Sequence, residues 1–278
     1  MLYSIDYFCT SHIGKLRGVN QDNFICLGEY MEPDGNKNSG MISGRANTEE
    51  DPLFGIFDGM GGEECGEVAS YLAAQCIAGH SFRGNVKRKL KEYCRVANGA
   101  ICAYTDEHGL TSMGTTAAIL LFTKKRIHLC NIGDSKIFRL NGGEMDQISY
   151  DHVGVSAYGS KPPLLQNLGI KESEMIIEPF IDTWKYKDQD IYLICSDGLT
   201  DMVDTKEICQ TILSSEKEKA AEILLQKALD NGGKDNITII LLYINKTDEF
   251  CCKTVGAQIW VFIKNFFQKQ WDKQVERS

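Results

Sequence analysis

The chain alternates between short apolar runs and amphipathic stretches, with glycine-rich or polar breaks between them. Apolar residues three or four positions apart predict helices, one after Gly62 and others near 85–105, 206–214 and 217–229. In the middle third of the chain, predicted strands follow one another without helices between them, which favours an antiparallel arrangement over βαβ units. Apolar runs rich in branched and aromatic residues predict strands over 2–9, 24–27, 53–57, 114–122, 126–132, 136–140, 190–195 and 237–244.

The middle third is predicted to be an antiparallel meander. Its three strands, between residues 114 and 140, are joined by 123–125 and 133–135, which are short enough for hairpins. Two stretches have no period. Residues 31–52 are interpreted as a mobile surface loop, and 146–185 as a lid or binding loop.

The C-terminal stretch differs in composition from the rest. We predict two regions, a catalytic domain over 1–245 and an amphipathic tail over 246–278. The apolar run in the tail is too short to span a bilayer. It could pack on its own domain, dock a partner or lie at a membrane surface. Its aromatic stripe at helical spacing comprises Ile259, Trp260, Phe262, Ile263, Phe266, Phe267 and Trp271.

Composition narrows the class of protein. The 278 residues are 43% hydrophobic and 24% charged, as in ordinary globular proteins. A net charge of −8 argues against a nucleic-acid partner and against attachment to an anionic membrane by charge alone. The 11 cysteines contain no CxxC pair, so no zinc framework is expected. With no visible signal peptide, we expect a cytoplasmic protein in a reducing compartment.

Asp58 is the first candidate for chemistry. It ends the predicted strand 53–57, and glycines follow at positions 59, 61 and 62. A carboxylate at the end of a buried strand is costly unless a cation receives it. Asp58 is therefore either a metal ligand or the first residue of an Asx turn that caps the next helix.

The same design recurs at Asp22, at Asp197 with Asp201 nearby, and at Asp235. Clustered carboxylates repel one another unless cations hold them. Oxygen ligands without neighbouring His or Cys point to Mg²⁺ or Mn²⁺. Arg17, close to Asp22 in sequence, has the fork geometry that grips a phosphate. Together these residue types suggest hydrolysis of a phosphoester.

Six motifs then occur in one order over residues 1–245, and together they resemble the metal-dependent serine/threonine protein phosphatases of the 2C type, most of all their compact bacterial branch. Each motif alone is weak, whereas six in the family's order are highly specific. They are Arg17-x-x-Asn20-Gln21-Asp22, Phe57-Asp58-Gly59-Met60-Gly61-Gly62, Gly114-Thr115-Thr116-Ala117, Asn131-x-Gly133-Asp134-Ser135, Ser196-Asp197-Gly198-Leu199-x-Asp201 and Asp235-Asn236-x-Thr238.

The resemblance implies an α+β fold, an α/β/β/α sandwich of two antiparallel sheets packed face to face with helices on both outer faces. It also implies two Mg²⁺ or Mn²⁺ ions and in-line attack on the phosphate by a water between them. Asp58 would bridge both ions. The Gly59 carbonyl would bind one ion, and Asp197 and Asp235 would bind the other.

Further roles carried over by the resemblance concern neighbouring residues. Arg17 would bind the substrate phosphate. Asp22 would hold metal-bound water, with Gln21 in place of an acidic family residue beside it. Asn236 would support the Asp235 loop, and Asp134 is expected to be structural.

Two departures from the family pattern matter. Met60 stands where many animal members carry a histidine thought to protonate the leaving group. Residues 111–113 lack the Asp that usually joins Asp201 in holding a third ion, so that ion is expected to be weak or absent.

The sequence therefore predicts a phosphatase that acts on phosphoserine and phosphothreonine in proteins, targets of a serine/threonine kinase. We expect a monomer. The alternative is a catalytically weak pseudo-phosphatase that binds a phosphoprotein without turnover.

Overall fold

The structure is a computed structural model that describes residues 2–33, 38–60, 65–156 and 162–247. The last described strand continues to Thr247, two residues beyond the predicted domain boundary. The aromatic stripe of the predicted tail lies outside the described residues, and so do Gly61 and Gly62. The division into domain and tail therefore stays a prediction.

Within this part of the chain, strands pair antiparallel in two sheets. They are β1 (Leu2–His12), β2 (Asp22–Cys26), β3 (Asn38–Asn47), β4 (Leu53–Met60), β5 (Gly114–Thr115), β6 (Ala117–Phe122), β7 (Ile127–Ile132), β8 (Lys136–Asn141), β9 (Glu144–Gln147), β10 (Phe180–Trp184), β11 (Ile191–Cys195) and β12 (Ile237–Thr247). The first sheet has the order β3-β1-β12-β11-β8-β9. The second has the order β10-β7-β6-β4-β2, with β5 paired to β4.

Helices cover the outer face of each sheet. They are α1 (Gly66–Ala78), α2 (Val86–Glu107), α3 (Asp197–Thr200), α4 (Thr205–Ser214) and α5 (Lys217–Asp230). The first two pack on the second sheet and the other three on the first sheet. The layers are thus α/β/β/α, which confirms the predicted fold class.

The central core lies between the two sheets. Phe54, Phe122, Tyr192 and Leu242 are among its fully buried side chains. Burial of each large apolar side chain stabilises the fold by about 1.5–3 kcal/mol. The rings of Phe54 and Phe122 also meet edge to face, with centroids 6.2 Å apart. This core fixes the spacing of the two sheets and therefore of the loops at their edges.

Helix α1 approaches the sheet through small side chains. Its apolar spacing predicts burial at Val68, Leu72, Cys76 and Ile77, but only Ile77 is fully buried. The other three are partly buried and pack at the edge of the same core, while alanines and a serine make the fully buried contact and let the helix lie close to the strands beneath it. The buried small residues are Ala69, Ser70, Ala73 and Ala74.

The basic face of α2 is solvated. Lys87, Arg88, Lys91 and Arg95 are exposed, while the opposite face is buried at positions such as Leu90 and Ile101. The Asn85 side chain accepts a hydrogen bond from the Arg88 N–H and caps the helix, so the helix begins where the sequence places it.

The prediction of a surface loop over 31–52 is wrong for its second half. Strand β3 occupies Asn38–Asn47, and a 3₁₀ turn follows over Thr48–Glu50. The strand lies at a sheet edge, and most of its residues are exposed. Because most side chains on both of its faces are exposed, the strand carries no apolar alternation that would reveal it.

The predicted meander is also only partly correct. Strands β6 and β7 form a hairpin, but β8 leaves β7 and pairs with β11 and β9 in the other sheet. Residues 133–135 therefore cross between the sheets instead of closing a hairpin. A short connection fits both arrangements, so its length could not distinguish them.

The long stretch 146–185 is irregular in its described parts except at its ends. Strand β9, Glu144–Gln147, overlaps the first two residues of the stretch. Strand β10, Phe180–Trp184, lies near its end and pairs with β7. Within the described ranges, no helix is long and apolar enough to cross a membrane.

Candidate active site

Asp22, Asp58, Asp197 and Asp235 come from four separate segments and meet at one edge of the sandwich. Asp22 begins β2 and lies directly opposite Asp58 in the pairing with β4. Residues opposite each other in an antiparallel pair point to the same face, so the two carboxyl groups are neighbours. Asp197 follows β11, and Asp235 precedes β12, which pairs with β11.

A cleft of about 400 Å³ opens between these segments. Ten described residues line it: Arg17, Gln21, Asp58, Gly59, Met60, Asp134, Pro162, Leu164, Asp197 and Asp235. Its wall is acidic, with Arg17 as the one cationic side chain among these residues. Asp22 lies behind this wall and is 1% exposed.

Two glycines allow the segments to touch. A Cβ on Gly59 would lie 2.2 Å from the Gly66 carbonyl oxygen and 2.4 Å from that of Gln21. A Cβ on Gly198 would lie 1.9 Å from the Asn236 carbonyl oxygen. Only glycine permits backbones this close. The glycine that follows each of Asp58 and Asp197 is therefore what brings these two carboxylates against their neighbouring loops.

The backbone of Asp58 is held by the Gly114–Ala117 motif. The Thr115 hydroxyl donates to the Asp58 carbonyl at 3.0 Å, and the Thr116 N–H donates to the same oxygen at 2.9 Å. The Asp58 N–H donates to the Thr116 hydroxyl at 3.0 Å. With both backbone groups fixed, the Asp58 side chain has a defined direction at the cleft wall.

Asp22 is held from behind by two buried hydroxyls. Ser196 Oγ donates to its Oδ2 at 2.8 Å, and Thr238 Oγ1 donates to the same oxygen at 2.7 Å. Burial raises the pKa of Asp22 to about 6, and the negative charge of Asp235 adds to the rise. The two hydroxyl donors act in the opposite direction because they stabilise the carboxylate.

Arg17 and Asp235 form an ion pair across the cleft mouth, with Nη2 and Oδ2 2.7 Å apart. Their side chains are 47% and 30% exposed, so solvent screens the pair. Among the described residues, no three Asp, Glu, His or Cys side chains are grouped closely enough to hold one metal ion. To bind a metal ion together with Asp58 and Asp197, Asp235 would have to release the Arg17 guanidinium.

Asn236 fixes the loop that carries Arg17. Its Oδ1 accepts from the Gln21 N–H at 2.8 Å. Its Nδ2 donates to the carbonyls of Ile13 and Val19 at 2.9 and 3.0 Å. The predicted supporting residue therefore ties the Arg17 loop to the Asp235 loop.

Asp201 and Asp134 differ in their position relative to the cleft. Asp201 is exposed at the end of α3 and does not line the cleft. Asp134 is 7% exposed and does line it, because residues 133–135 cross between the sheets at this edge. Met60 also lines the cleft, so no side-chain acid stands at that position.

Several residues that shape the site had no role in the sequence-based prediction. Ser196 and Thr238 occur inside two of the motifs, where their positions beside Asp197 and Asp235 were the available signal. Pro162 and Leu164 come from the irregular stretch, where Gly154 N–H donates to the Pro163 carbonyl at 2.8 Å. This stretch contributes to the cleft, as expected of a binding loop.

The acidic side chains and the Gly59 carbonyl at the cleft offer ligand atoms that fit hard divalent cations. All are oxygens, as Mg²⁺ and Mn²⁺ prefer. Asp22 Oδ1 is buried and accepts no hydrogen bond from the part of the chain that the structure describes. A buried carboxylate oxygen without a donor is costly, so a cation or its water would satisfy it.

Comparison with known proteins agrees with this geometry. The family model described as Protein phosphatase 2C matches residues 45–230. The chain therefore belongs to the protein phosphatase 2C family, and the family predicted from the six motifs is confirmed.

Bacterial relatives lie within this family. The chain is 33% identical over 216 residues to the serine/threonine protein phosphatase PstP of Mycobacterium tuberculosis, over 71% of this chain and 42% of that protein. It is 29% identical over 259 residues to the serine/threonine phosphatase stp of Listeria welshimeri, over 84% of this chain and 93% of that protein. It thus spans less than half of PstP and nearly all of stp.

Solved structures share the fold. The catalytic domain of PstP in complex with two manganese ions has a TM-score of 0.69 and 28% identity, and the match covers 88% of this chain and all of that domain. A second crystal structure of the Mycobacterium tuberculosis phosphatase has a TM-score of 0.71 and 27% identity, covering 87% of this chain.

Proposed function

We propose that this chain is a metal-dependent serine/threonine protein phosphatase that hydrolyses phosphoserine and phosphothreonine monoesters in proteins. Family membership and the names of the bacterial relatives support the activity. The observation that carries the proposal is the cleft itself. Four acidic residues from distant segments surround it or lie directly behind it, with Arg17 at its mouth.

Asp58, Asp197, Asp235 and the Gly59 carbonyl would hold two ions of the Mg²⁺ or Mn²⁺ type, as the PstP domain binds two manganese ions. When bound, such ions lower the pKa of water and neutralise charge on a phosphoryl group. Asp22, behind the cleft wall, and Gln21, which lines the cleft beside it, would support the ions. Asp201, exposed and outside the cleft lining, is a poor candidate for a third ion.

The other cleft residues would bind and orient the substrate. Arg17 would release Asp235 and grip two phosphate oxygens, for which its planar fork is suited. Asp134, Pro162 and Leu164 would shape the entrance. Since Met60 is apolar, the leaving-group proton would come from water in the cleft.

Hydrolysis of p-nitrophenyl phosphate and of a phosphothreonine peptide tests the proposal, each measured with Mn²⁺ and with EDTA. Asp58→Asn or Asp235→Asn should lower kcat at least about 10²-fold, because metal charge stabilisation contributes several kcal/mol. Asp188→Asn, at an exposed position outside the cleft lining, is the matched control. Turnover that persists in EDTA, or normal activity in both site variants, would refute the metal site.

The remaining assignments are extensions of this proposal. Substrates would be proteins phosphorylated by a serine/threonine kinase, and the enzyme would act as a cytoplasmic monomer. Nine described cysteines are free thiols, which suits a reducing compartment. Docking of residues 246–278 to a partner or membrane surface stays a prediction. The intact acidic residues and Arg17 argue against the pseudo-phosphatase alternative.

A further inference from the structure

A row of buried hydroxyls lies behind Asp22. Ser196 and Thr238, both 0% exposed, donate to its Oδ2. Ser11, 1% exposed, continues the row with its Oγ 2.8 Å from Thr238 Oγ1. Asn20, also 0% exposed, closes it by donating from Nδ2 to Ser11 Oγ at 2.9 Å. We name Ser11, Ser196 and Thr238 the hydroxyl relay.

The direction of every hydrogen bond in the relay is determined by its ends. Thr238 gives its one proton to Asp22, so the bond between Ser11 and Thr238 must use the Ser11 proton. The Thr238 N–H donates to Ser196 Oγ at 3.0 Å, and the Ser196 proton goes to Asp22. The Asp22 N–H donates to Asn20 Oδ1 at 3.2 Å, which orients the Asn20 amide. The hydroxyl protons of Ser196 and Thr238 therefore both go to Asp22 Oδ2, and the Ser11 hydroxyl donates to Thr238 from behind.

The two oxygens of Asp22 are thereby made different. Oδ2 has two hydroxyl donors, whereas Oδ1 is buried and has none within the described ranges. Two donors on one oxygen fix the rotation of the carboxylate plane. Since Asp58 is the direct neighbour of Asp22 across the strand pair, this orientation is set at the candidate metal site.

We propose that the hydroxyl relay consists of positioning residues, which hold Asp22 by Oδ2 and keep Oδ1 free for the divalent-cation site beside Asp58. The inference rests on the proposed function, because it requires cations at this site. Outer partners of a metal site orient the groups nearer the ion, and their loss typically weakens metal affinity 10–100-fold. A purely structural relay would affect folding stability and leave metal affinity unchanged.

Thr238 offers a clean test. Thr238→Val keeps the shape and removes the hydroxyl, while Thr238→Ser keeps the hydroxyl. Isothermal titration of the full chain with Mn²⁺ should give an affinity about 10–100-fold weaker for T238V, with T238S close to wild type. The control is Thr48→Val, which removes a fully buried hydroxyl that donates to the Tyr3 carbonyl, at 3.0 Å, and is not part of the hydroxyl relay. Its Mn²⁺ affinity should be that of the wild type.

The outcomes separate the two proposals. Wild-type Mn²⁺ affinity in folded T238V, or equal weakening in T48V, would overturn the relay alone. A wild-type chain that binds no Mn²⁺ would overturn the proposed function and the relay with it. If T238V does not fold, Ser196→Ala and Ser11→Ala decide. S196A, which removes a direct donor, should weaken binding more than S11A, and unchanged affinity in both would refute the relay.

Discussion

Replacing Arg17 with alanine is expected to lower catalytic efficiency without lowering the affinity for Mn²⁺. In this structure the Arg17 guanidinium is 2.7 Å from Asp235 Oδ2, so the residue proposed to bind phosphate also neutralises a proposed metal ligand. Arg17→Ala removes the phosphate grip and at the same time frees Asp235. Catalytic efficiency should fall, while Mn²⁺ affinity should rise slightly or stay the same.

The magnitudes follow from the exposure of the pair. Hydrogen bonds to charged groups contribute about 1.5–3 kcal/mol, so kcat/KM should fall roughly 10- to 150-fold. The ion pair itself is 47% and 30% exposed, and such pairs contribute about 0–1 kcal/mol. Loss of this competitor can therefore tighten Mn²⁺ binding by no more than about 5-fold.

The assay combines steady-state hydrolysis of a phosphothreonine peptide with Mn²⁺ titration of the same preparations. Lys15→Ala is the matched control, because it removes a cation two positions away that lies 4.0 Å from Asp230 and does not line the cleft. K15A should leave both quantities near wild type.

Two results would contradict this reasoning. Unchanged kcat/KM in R17A would remove Arg17 from phosphate binding. A clear loss of Mn²⁺ affinity in R17A would mean that Arg17 supports the metal site instead of competing for Asp235.

Two other predictions concern stability and backbone fit. Asp190→Ala should destabilise the fold by about 3–5 kcal/mol in thermal unfolding, because Asp190 is 0% exposed and its loss leaves Arg139, now bound at 2.8 and 3.0 Å, unpaired. Glu222→Ala, at an exposed position of α5, should unfold like the wild type, and wild-type stability of D190A would contradict the reasoning. Gly59→Ala should abolish activity or folding, since its Cβ would clash with two carbonyl oxygens at 2.2 and 2.4 Å. The control is Gly99→Ala, which has open space around its Cβ and should be neutral or stabilising. An active and stable G59A would refute the close-approach argument.

The chemistry of the site and most of the elements were evident from local patterns. An Asp-Gly pair after an apolar run predicts a carboxylate at the end of a strand, whatever place that strand takes in the sheets. This is why Asp58 and Asp197 could be singled out one at a time. Helical spacing likewise predicted α2, α4 and α5, because an amphipathic helix is recorded in residues only three or four apart. The order of six motifs then identified the family.

Strand β3 and the sheet change at β8 could not be predicted in this way. An edge strand that is mostly exposed on both faces leaves no side-chain period, and a three-residue connection fits either a hairpin or a crossing between sheets. The crossing matters for function because it brings Asp134 to the cleft. The position of Asp134 was therefore decided by strand pairing and not by its motif.

Asp58 shows what the sequence determines about the site and what only the tertiary structure decides. Sequence alone left it as either a metal ligand or a turn residue until the other carboxylates were considered with it. Only the tertiary structure places Asp22 opposite Asp58 and brings Ser11 to Thr238, 227 positions away in the chain. Register and burial are properties of the packed sheets, so serine and threonine hydroxyls that look ordinary in sequence become the donors that orient Asp22.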